Sequence, residues 1–585
     1  MRKTLATASV GAIALAMVAT GCGSSNTGGG GNKDTGKTLE SAISMDPKDS
    51  LGPAKRPDGA VKGGNLTTLL VDDFEHLDPA RSYVNIQQVA MGLVYRTLTV
   101  FKEGKDSSGA VKSTLVGDLA ETPGVDVNKD CKTWKFTLKK GIKYEDGTEV
   151  KAADVAYGIG RSFAPDLAEG PHYIQQWLAG DANYNATYKG PYNGGAEVPP
   201  NLQVNGDYEL VFNFNAPHCD MPYAASMPMT APVPKAKDTK TDYDKRPFSS
   251  GPYKIKEYKK DVSLVLDRNP NWDPKSDAVH TADPDTFTFS IGNEADAIAN
   301  RLIADSGPDQ QAITWTNVVS ELVPKTQDPA VQQRVISGPT QFVWRFDINT
   351  QRVKDLNVRK ALAVAADKQA MLKPIGGSTA GTPTTTQLSP TVAGYKKYDV
   401  FGVPDTGDPA KAKELLGGKT VSLVLAHANS SRRTNQAVAA KAFFEKAGFK
   451  ITLAPIDAAS YYTEIGKKNN KYDIYLAGWG SDWPSGSTVL PVLFGGDQIV
   501  PEGNYNTSYS NFPEINDEIA RISKLPAAEA TTQWAALDEK ITRDFVPSIP
   551  LYNDRNYTLV GSKVGGYYLS LAFGVASLNT IFVKP

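Results

Sequence analysis

The region from residue 421 to residue 477 alternates short apolar runs with helical patterns, which few folds can accommodate. Strands that alternate with helices predict a parallel or mixed sheet covered on its faces by helices. The C-terminal half of the chain is therefore predicted to form an α/β lobe. The predicted elements are a strand at 421–426, a helix at 435–447, a strand at 449–454, a helix around Tyr461 and Tyr462, and a strand at 472–477.

A second structured region lies in the N-terminal half. Residues 134–138 alternate apolar and polar side chains, as in a half-buried strand, and the Gly141 turn ends it. Val155, Ile159 and Phe163 recur at four-residue steps, which is typical of the buried face of an amphipathic helix. With 585 residues the chain is long enough for two or more hydrophobic cores.

The overall charge gives no reason to expect a polyanionic partner. The 63 Lys+Arg and 64 Asp+Glu residues leave a net charge of −1. The molecule as a whole therefore does not attract nucleic acid or an anionic lipid surface. A charged fraction of 22% and a hydrophobic fraction of 40% indicate a globular rather than a disordered chain.

The N-terminus has the pattern of a targeting segment. Two basic residues precede a run of small and apolar residues at 5–19, which suits a signal-peptide core and is short for a bilayer span. The tetrapeptide A-T-G-C at 19–22 resembles the bacterial lipobox, in which a lipid is attached to the cysteine. Residues 1–21 are therefore predicted to be a lipoprotein signal peptide and Cys22 the lipidated residue. The alternative is an ordinary secretory signal with a chance cysteine.

The segment after the predicted cleavage site is polar. Residues 22–62 are rich in Gly, Ser and charged side chains, and such a composition buries too little apolar surface to offset chain entropy. We expect a flexible tether that holds the folded body off the membrane. No later segment approaches about twenty uninterrupted apolar residues, so no transmembrane helix is predicted.

Two cysteines remain once Cys22 is assigned to lipid attachment. Cys131 and Cys219 are a disulfide candidate in an oxidising exterior. Closing a loop of this length would stabilise the folded protein by roughly 4 to 5 kcal/mol in the chain-entropy model. The alternative is a pair of buried free thiols. No third cysteine supports a thiolate metal site, and no metal is predicted.

The segment 478–484 follows the last predicted strand of the α/β lobe and reads G-W-G-S-D-W-P. Ligands of open α/β sheets collect at the carboxyl ends of the strands. Glycines permit close backbone approach, tryptophans supply apolar walls and a carboxylate can hold a cation. The alternative is an ordinary turn with core tryptophans, and composition alone leaves the two interpretations nearly even.

Five blocks of sequence follow one another in a recognisable order along the chain. The most specific is 136–161, F-T-L-K-K-G-I-K-Y-E-D-G-T-E-V-K-A-A-D-V-A-Y-G-I-G-R. The others are Leu77-Asp78-Pro79, Ser250-Gly251-Pro252-Tyr253 followed by Arg268-Asn269-Pro270, Val358-Arg359-Lys360-Ala361-Leu362, and 478–483. Together they resemble the family 5 extracellular solute-binding proteins, the oligopeptide- and dipeptide-binding lipoproteins of ABC importers, in an actinobacterial form.

The resemblance implies an α/β, two-lobed periplasmic-binding-protein-like fold of type II, cluster C, with an extra inserted domain. A ligand held between two such lobes is shielded from water. On this chain, lobe I would comprise 63–92, 241–336 and 555–585, the inserted domain 93–240, and lobe II 337–554.

The resemblance also implies where a ligand binds. In peptide-binding members the acid of the Gly-Trp-x-x-Asp segment pairs with the α-ammonium of the ligand, and Asp482 occupies that position. A buried ammonium is tolerated only with such a partner. Gly478 and Gly480 would offer main-chain groups to an extended peptide, as in β-augmentation. Trp479 and Trp483 are predicted to line the same site.

The remaining site predictions are less specific. By family alignment, Tyr83 and Asn85 would form the opposite lip of the cleft. Arg345 interrupts an apolar strand, and it either meets the carboxylate of the ligand or pairs with a neighbouring acid. Three aromatic residues are further candidates for the wall, although aromatics at such spacings are more often core: Trp344, Tyr505 and Tyr509.

No enzyme motif is found: the sequence lacks a Gly-x-Ser-x-Gly elbow, a His-Glu-x-x-His helix and a Walker loop, and its five histidines are dispersed. The predicted function is a non-enzymatic, monomeric receptor without cofactor, lipid-anchored at the extracytoplasmic face of the bacterial membrane. It would capture oligopeptides and deliver them to ABC permease subunits with cytoplasmic ATPases. The same fold with a non-peptide cargo, such as an oligosaccharide, a metal chelate or another small solute, is the alternative. A surface hydrolase or peptidase is a third hypothesis.

Overall fold

The computed structural model describes residues 42–105 and 111–585. The predicted signal peptide 1–21, the predicted lipidation site Cys22 and the first part of the predicted tether lie outside the described residues. Among the helices within the described ranges, none has both the length and the apolar character needed to cross a bilayer.

The described residues form strands and helices throughout. The strands are β1 (Ala42–Ile43), β2 (Asn65–Leu69), β3 (Thr99–Lys105), β4 (Val111–Gly117), β5 (Val125–Asp126), β6 (Thr133–Thr137), β7 (Leu202–Asn205), β8 (Glu209–Asn213), β9 (Tyr253–Lys259), β10 (Ser263–Arg268), β11 (Thr286–Ser290), β12 (Ala312–Thr314), β13 (Val335–Ile348), β14 (Gly381–Pro383), β15 (Val421–Ala428), β16 (Phe449–Ile456), β17 (Ile474–Gly480), β18 (Ser548–Leu559), β19 (Val564–Gly565) and β20 (Phe582–Val583). The α-helices are α1 (Asn85–Met91), α2 (Ala152–Arg161), α3 (Tyr173–Ala179), α4 (Met221–Ala224), α5 (Ala295–Ala304), α6 (Pro329–Gln332), α7 (Leu356–Ala365), α8 (Lys368–Leu372), α9 (Pro409–Leu416), α10 (Ser431–Lys446), α11 (Tyr461–Ile465), α12 (Leu490–Phe494), α13 (Pro513–Ile522) and α14 (Ala527–Lys540).

The strands assemble into several sheets, and the three largest pack in different hydrophobic cores. A five-stranded mixed sheet has the order β12-β2-β11-β10-β9, and a four-stranded antiparallel sheet has the order β5-β6-β8-β7. A six-stranded mixed sheet has the order β14-β18-β13-β17-β15-β16. The structure is thus the predicted α/β, two-lobed fold, whereas the exact segment boundaries of the lobes stay predictions.

Two long antiparallel strands, β13 and β18, pass from one lobe to the other. Their outer ends place Val335 and Leu559 in a hydrophobic cluster with the five-stranded sheet. Their inner ends place Phe346 and Ile549 in the core of the six-stranded sheet. The pairing of β13 with β18 is interrupted between Pro339 and Val343, where a bulge separates the two halves. This interruption lies beside the cavity described below.

The predicted elements of the α/β lobe are confirmed, with shifted ends. The predicted helix at 435–447 begins earlier, at Ser431, because the Ser430 side chain accepts a hydrogen bond from the Arg433 backbone amide and caps it. The predicted strand at 472–477 is displaced to Ile474–Gly480. Its extension arises because β13 pairs with it along its whole length, up to Phe342 opposite Gly480.

The tether prediction requires correction over residues 42–62. β1 pairs in parallel with β4, and a 3-10 turn at Pro47–Ser50 follows it. Ser50 is fully buried: its hydroxyl accepts from the Gly117 amide at 2.9 Å and its carbonyl from the Lys139 ammonium at 2.5 Å. Composition predicted a free chain because this segment is polar, but buried hydrogen bonds to the folded body hold it.

The region predicted as the inserted domain carries the cysteine pair. Cys131 and Cys219 form a disulfide bond that joins residues 88 positions apart. Both lie in the hydrophobic core that also contains Phe136, Val155 and the four-stranded sheet. The bond therefore closes a long loop around a single core.

Candidate functional site

A cavity of about 810 Å³ opens where the two lobes meet, a size typical of small-molecule sites. One wall comes from the chain around α1, including Tyr83 and Asn85. The opposite wall comes from the C-terminal end of β17 and from residues 503–507. The bulge of β13 and the facing part of β18 form the base. Seven aromatic residues line it: Tyr83, Trp315, Phe342, Tyr462, Trp479, Tyr505 and Phe573.

Asp482, the predicted ammonium partner, is partly buried and lines this cavity. It follows β17 by two residues, and its backbone amide donates to the Thr488 hydroxyl at 3.2 Å. The Tyr83 hydroxyl donates to Oδ1 at 2.8 Å, and the Tyr173 hydroxyl donates to Oδ2. Burial raises the pKa of the Asp482 carboxyl to about 6, although both tyrosine hydrogen bonds lower it. No described cation forms a salt bridge with it.

Gly478 and Gly480 lie inside β17, not in a turn after it, and both line the cavity. An added Cβ at Gly478 would lie 3.0 Å from the indole of Trp344, and one at Gly480 would lie 2.9 Å from Cγ of Gln341. Only glycine therefore fits at these two positions without displacing a neighbour.

The last residues of β17 have a paired strand on one side only. β13 pairs with β17 up to Gly480, but β15 pairs with it at just two positions, opposite Ile474 and Tyr475. Within the described residues, 476–480 therefore form a short sheet edge, and 477–480 of this edge line the cavity. A sheet edge can receive an extended chain through main-chain hydrogen bonds.

The two tryptophans of the 478–484 segment have different surroundings. Trp479 lines the cavity, contacts the Tyr505 ring at 5.1 Å between centroids, and donates from its indole to the Thr488 carbonyl at 2.8 Å. Trp483 does not line the cavity, contrary to prediction. It packs in the core of the predicted inserted domain and donates from its indole to Asp220 at 3.2 Å, because the chain turns away after Asp482.

The opposite lip and the buried arginine are also located. Asn85 lines the cavity and donates from Nδ2 to the Phe573 carbonyl at 2.9 Å. Arg345 reaches the cavity, but it donates from Nε to Asp347 at 2.8 Å. Asp347 also accepts from Thr507 at 2.6 Å. Two roles were predicted for Arg345, and the structure shows the second one: Arg345 pairs with a neighbouring acid.

Of the three weaker aromatic candidates, one lines the cavity and two do not. Tyr505 is exposed at the cavity. Tyr509 is buried and donates to the Ile465 carbonyl, so it is a core residue. Trp344 lies outside the cavity, beneath the guanidinium of Arg433.

Sequence reasoning missed the acceptors at the base of the cavity. Thr340, Gln341 and Asp554 line it, and they come from β13 and β18, more than 200 residues apart in the chain. No local motif marks them. The bulge in the pairing of β13 with β18 turns them toward the cavity, and only long-range pairing creates that bulge.

The charge of the cavity is strongly one-sided. Its charged lining residues are Asp482, Asp554 and Arg345, and Arg345 is already paired with Asp347. Within the described part of the chain, two carboxylates thus face the cavity without a salt-bridge partner. Among the described residues, no group of three or more His, Cys, Asp or Glu side chains is arranged to hold a metal ion. The site can therefore accept cationic groups and, along the β17 edge, extended main chain.

Comparison with known proteins places this site in context. The family described as "Bacterial extracellular solute-binding proteins, family 5 Middle" matches residues 114–500. The periplasmic oligopeptide-binding protein OppA of Escherichia coli (strain K12) is 24% identical over 492 residues, which cover 80% of this chain and 85% of OppA.

Solved structures extend the similarity to nearly the whole chain. The "Clavulanic acid biosynthesis oligopeptide binding protein 2" superposes with a TM-score of 0.82 at 26% identity, covering 93% of this chain and 99% of that protein. DppA from Helicobacter pylori, in complex with the peptide STSA, superposes with a TM-score of 0.66 at 20% identity, covering 90% and 99%. The second similarity concerns the fold alone.

Proposed function

Since this chain belongs to family 5 of the bacterial extracellular solute-binding proteins, which bind solutes for ABC importers and are not enzymes, we propose that it captures short peptides with a free amino terminus. The observation that carries the proposal is Asp482, a carboxylate at the cavity wall that accepts from two tyrosine hydroxyls and has no salt-bridge partner among the described residues. An α-ammonium is the complement of such a group.

The hydroxyls of Tyr83 and Tyr173 prepare the carboxylate for this role. They donate to different oxygens of Asp482, so its orientation is held before a ligand arrives. An ammonium that enters the cavity loses its hydration, and a preoriented charge compensates that loss better than a mobile one. The amino terminus of a peptide would lie against Asp482.

The edge of β17 would hold the main chain of the peptide. Residues 477–480 face the cavity and have no second strand neighbour in the described ranges. The absence of side chains at Gly478 and Gly480 leaves the backbone accessible. Main-chain hydrogen bonds do not depend on side chains, so many peptide sequences would be accepted. The names of OppA and of the "Clavulanic acid biosynthesis oligopeptide binding protein 2" support a peptide cargo.

Delivery completes the proposed function. The protein would be anchored through a lipid at Cys22 on the extracytoplasmic face of the membrane and would act as a monomer. It would pass its cargo to ABC permease subunits driven by cytoplasmic ATPases. The family and the A-T-G-C sequence at 19–22 support this part of the proposal.

Calorimetry tests the anchor directly. At pH 7.5 we expect Ala-Ala-Ala to bind, and both N-acetylation of the peptide and the Asp482→Asn substitution to cost about 3 to 5 kcal/mol, because each leaves one charge unpaired. Asp517→Asn, at an exposed acid on α13, is the matched control and should bind normally. Equal affinities for free and acetylated peptide would refute the anchor.

Native mass spectrometry of the purified protein tests the cargo class. A ladder of peptide masses that dissociates on unfolding supports the proposal. A single discrete mass of a non-peptide compound would instead favour the same fold with another solute, such as an oligosaccharide or a metal chelate.

A further inference from the structure

The base of the cavity contains a second group of acceptors, separate from Asp482. Thr340 and Gln341 lie in the bulge of β13, and Asp554 lies on the facing strand β18. The Thr340 hydroxyl donates to Oδ2 of Asp554 at 3.2 Å. These side chains therefore form one corner of the cavity that is rich in oxygen acceptors.

Gln341 is a buried group without a partner. The residue is 4% exposed, and its Oε1 atom has no hydrogen-bond partner among the described residues. Gly574 packs against this oxygen, where a larger residue would displace it. An unpaired buried acceptor costs free energy unless a ligand donates to it. The oxygen is enclosed in this conformation, and rotation of the side chain toward the cavity that Gln341 lines would let a donor on a bound ligand supply that hydrogen bond.

Asp554 lacks a salt-bridge partner among the described residues. Burial raises the pKa of its carboxyl to about 6. The charges of Arg432 and Arg433 and the hydrogen bonds from Thr340 and Trp344 act in the opposite direction.

Arg433, one of the two arginines near Asp554, makes close contacts with other residues. The guanidinium of Arg433 lies 3.3 Å from the ring centroid of Trp344, and its Nη1 donates to Gln436 at 2.7 Å. Neither Arg433 nor Arg432 lines the cavity. Asp554 therefore presents a negative charge to the cavity. The two arginines partly offset the electrostatic potential of this charge, but neither forms a salt bridge with it.

The two acidic positions exceed what one peptide amino terminus can neutralise. We infer that the cavity selects peptides with a second positive charge, and that Asp554 and Gln341 bind the guanidinium or ammonium of a basic side chain. This inference rests on the proposed function, in which Asp482 binds the α-ammonium. A guanidinium has several N–H donors in a planar fork, which suits a carboxylate and an adjacent amide oxygen.

Calorimetry with matched peptides tests the inference. Ala-Arg-Ala and Ala-Ala-Arg are each compared at pH 7.5 with the same peptide carrying citrulline, which keeps the shape of arginine without its charge. We expect at least one arginine peptide to bind tenfold or more tightly than its citrulline counterpart. Asp554→Asn should reduce this ratio to about one, whereas Asp517→Asn should preserve the ratio.

Gln341→Met is a second variant, of similar volume but without the amide acceptor, and it should reduce the ratio at least threefold. Thermal unfolding of each variant shows that it is folded. Equal binding of every arginine and citrulline pair, or an unchanged ratio in Asp554→Asn, would overturn the inference while the proposed function stands. Absence of binding by all these peptides and by Ala-Ala-Ala would instead refute the proposed function, and the inference with it.

Discussion

The carboxylate of Asp78 and the guanidinium of Arg161 form a doubly hydrogen-bonded ion pair, with Nη1–Oδ1 at 2.6 Å and Nη2–Oδ2 at 2.8 Å. Both side chains are fully buried. Asp78 lies in the Leu77-Asp78-Pro79 block, and Arg161 is the last residue of the 136–161 block and of α2. Two blocks that carry the family resemblance thus contact each other, and they join the predicted lobe I to the predicted inserted domain.

Breaking this pair is expected to destabilise the protein strongly. Asp78→Asn should lower the free energy of unfolding by about 3 to 5 kcal/mol, because it leaves a buried guanidinium short of its main partner. Thermal and urea unfolding measure the loss. Glu445→Gln is the control, since Lys441 and Glu445 form an exposed pair that contributes little. Similar losses in both variants would contradict the assigned role of Asp78.

Peptide binding is expected to weaken in acid. The pKa of Asp482 is raised to about 6 in the free protein, and only its ionised form can pair with an ammonium. Bound ammonium lowers this pKa, so binding below pH 6 requires release of a proton. The affinity for Ala-Ala-Ala should be constant between about pH 7 and 7.5 and should fall roughly tenfold per pH unit below the pKa. Calorimetry from pH 5 to 7.5 measures this, and Asp482→Asn should remove most of the dependence.

The glycines of β17 are expected to tolerate no side chain. Gly480→Ala should cost about 1 to 3 kcal/mol of stability and weaken peptide binding, because its Cβ would press on Gln341 and Phe342. Gly104→Ala on β3 is the matched control: nothing lies within 4 Å of an added Cβ there, so stability should be unchanged or slightly higher. Thermal unfolding and calorimetry of both variants check this, and equal stability of the two would argue against close packing at β17.

The carboxyl terminus of the ligand is expected to contribute little. Among the described residues, Arg345 is the one cationic side chain that lines the cavity, and its charge is already neutralised by Asp347. Amidation of Ala-Ala-Ala should therefore change the affinity by no more than about threefold, the size of a weak, solvent-screened pair. Calorimetry with free and amidated peptide provides the measurement. A tenfold loss on amidation would show that Arg345 or another cation binds the terminal carboxylate.

Part of this protein could be predicted from local sequence. The strands and helices of residues 421–477 follow from hydrophobic periodicity, which depends only on neighbouring residues. The family resemblance rests on short blocks, and it also pointed to Asp482, Tyr83 and Asn85, all of which line the cavity. These features are local, so one sequence contains enough information to propose them.

The rest was decided by tertiary structure. Trp479 and Trp483 are the same residue type in one short segment, yet strand pairing directs Trp479 to the cavity. The turn after Asp482 places Trp483 in the core of the predicted inserted domain. Residues 42–62 were predicted to be a free tether, yet buried hydrogen bonds to Ser50 hold this segment against the folded body. Gln341 and Asp554 become neighbours only because β13 and β18 pair around a bulge. Register, bulges and burial depend on contacts between distant segments, and local periodicity contains no information about them.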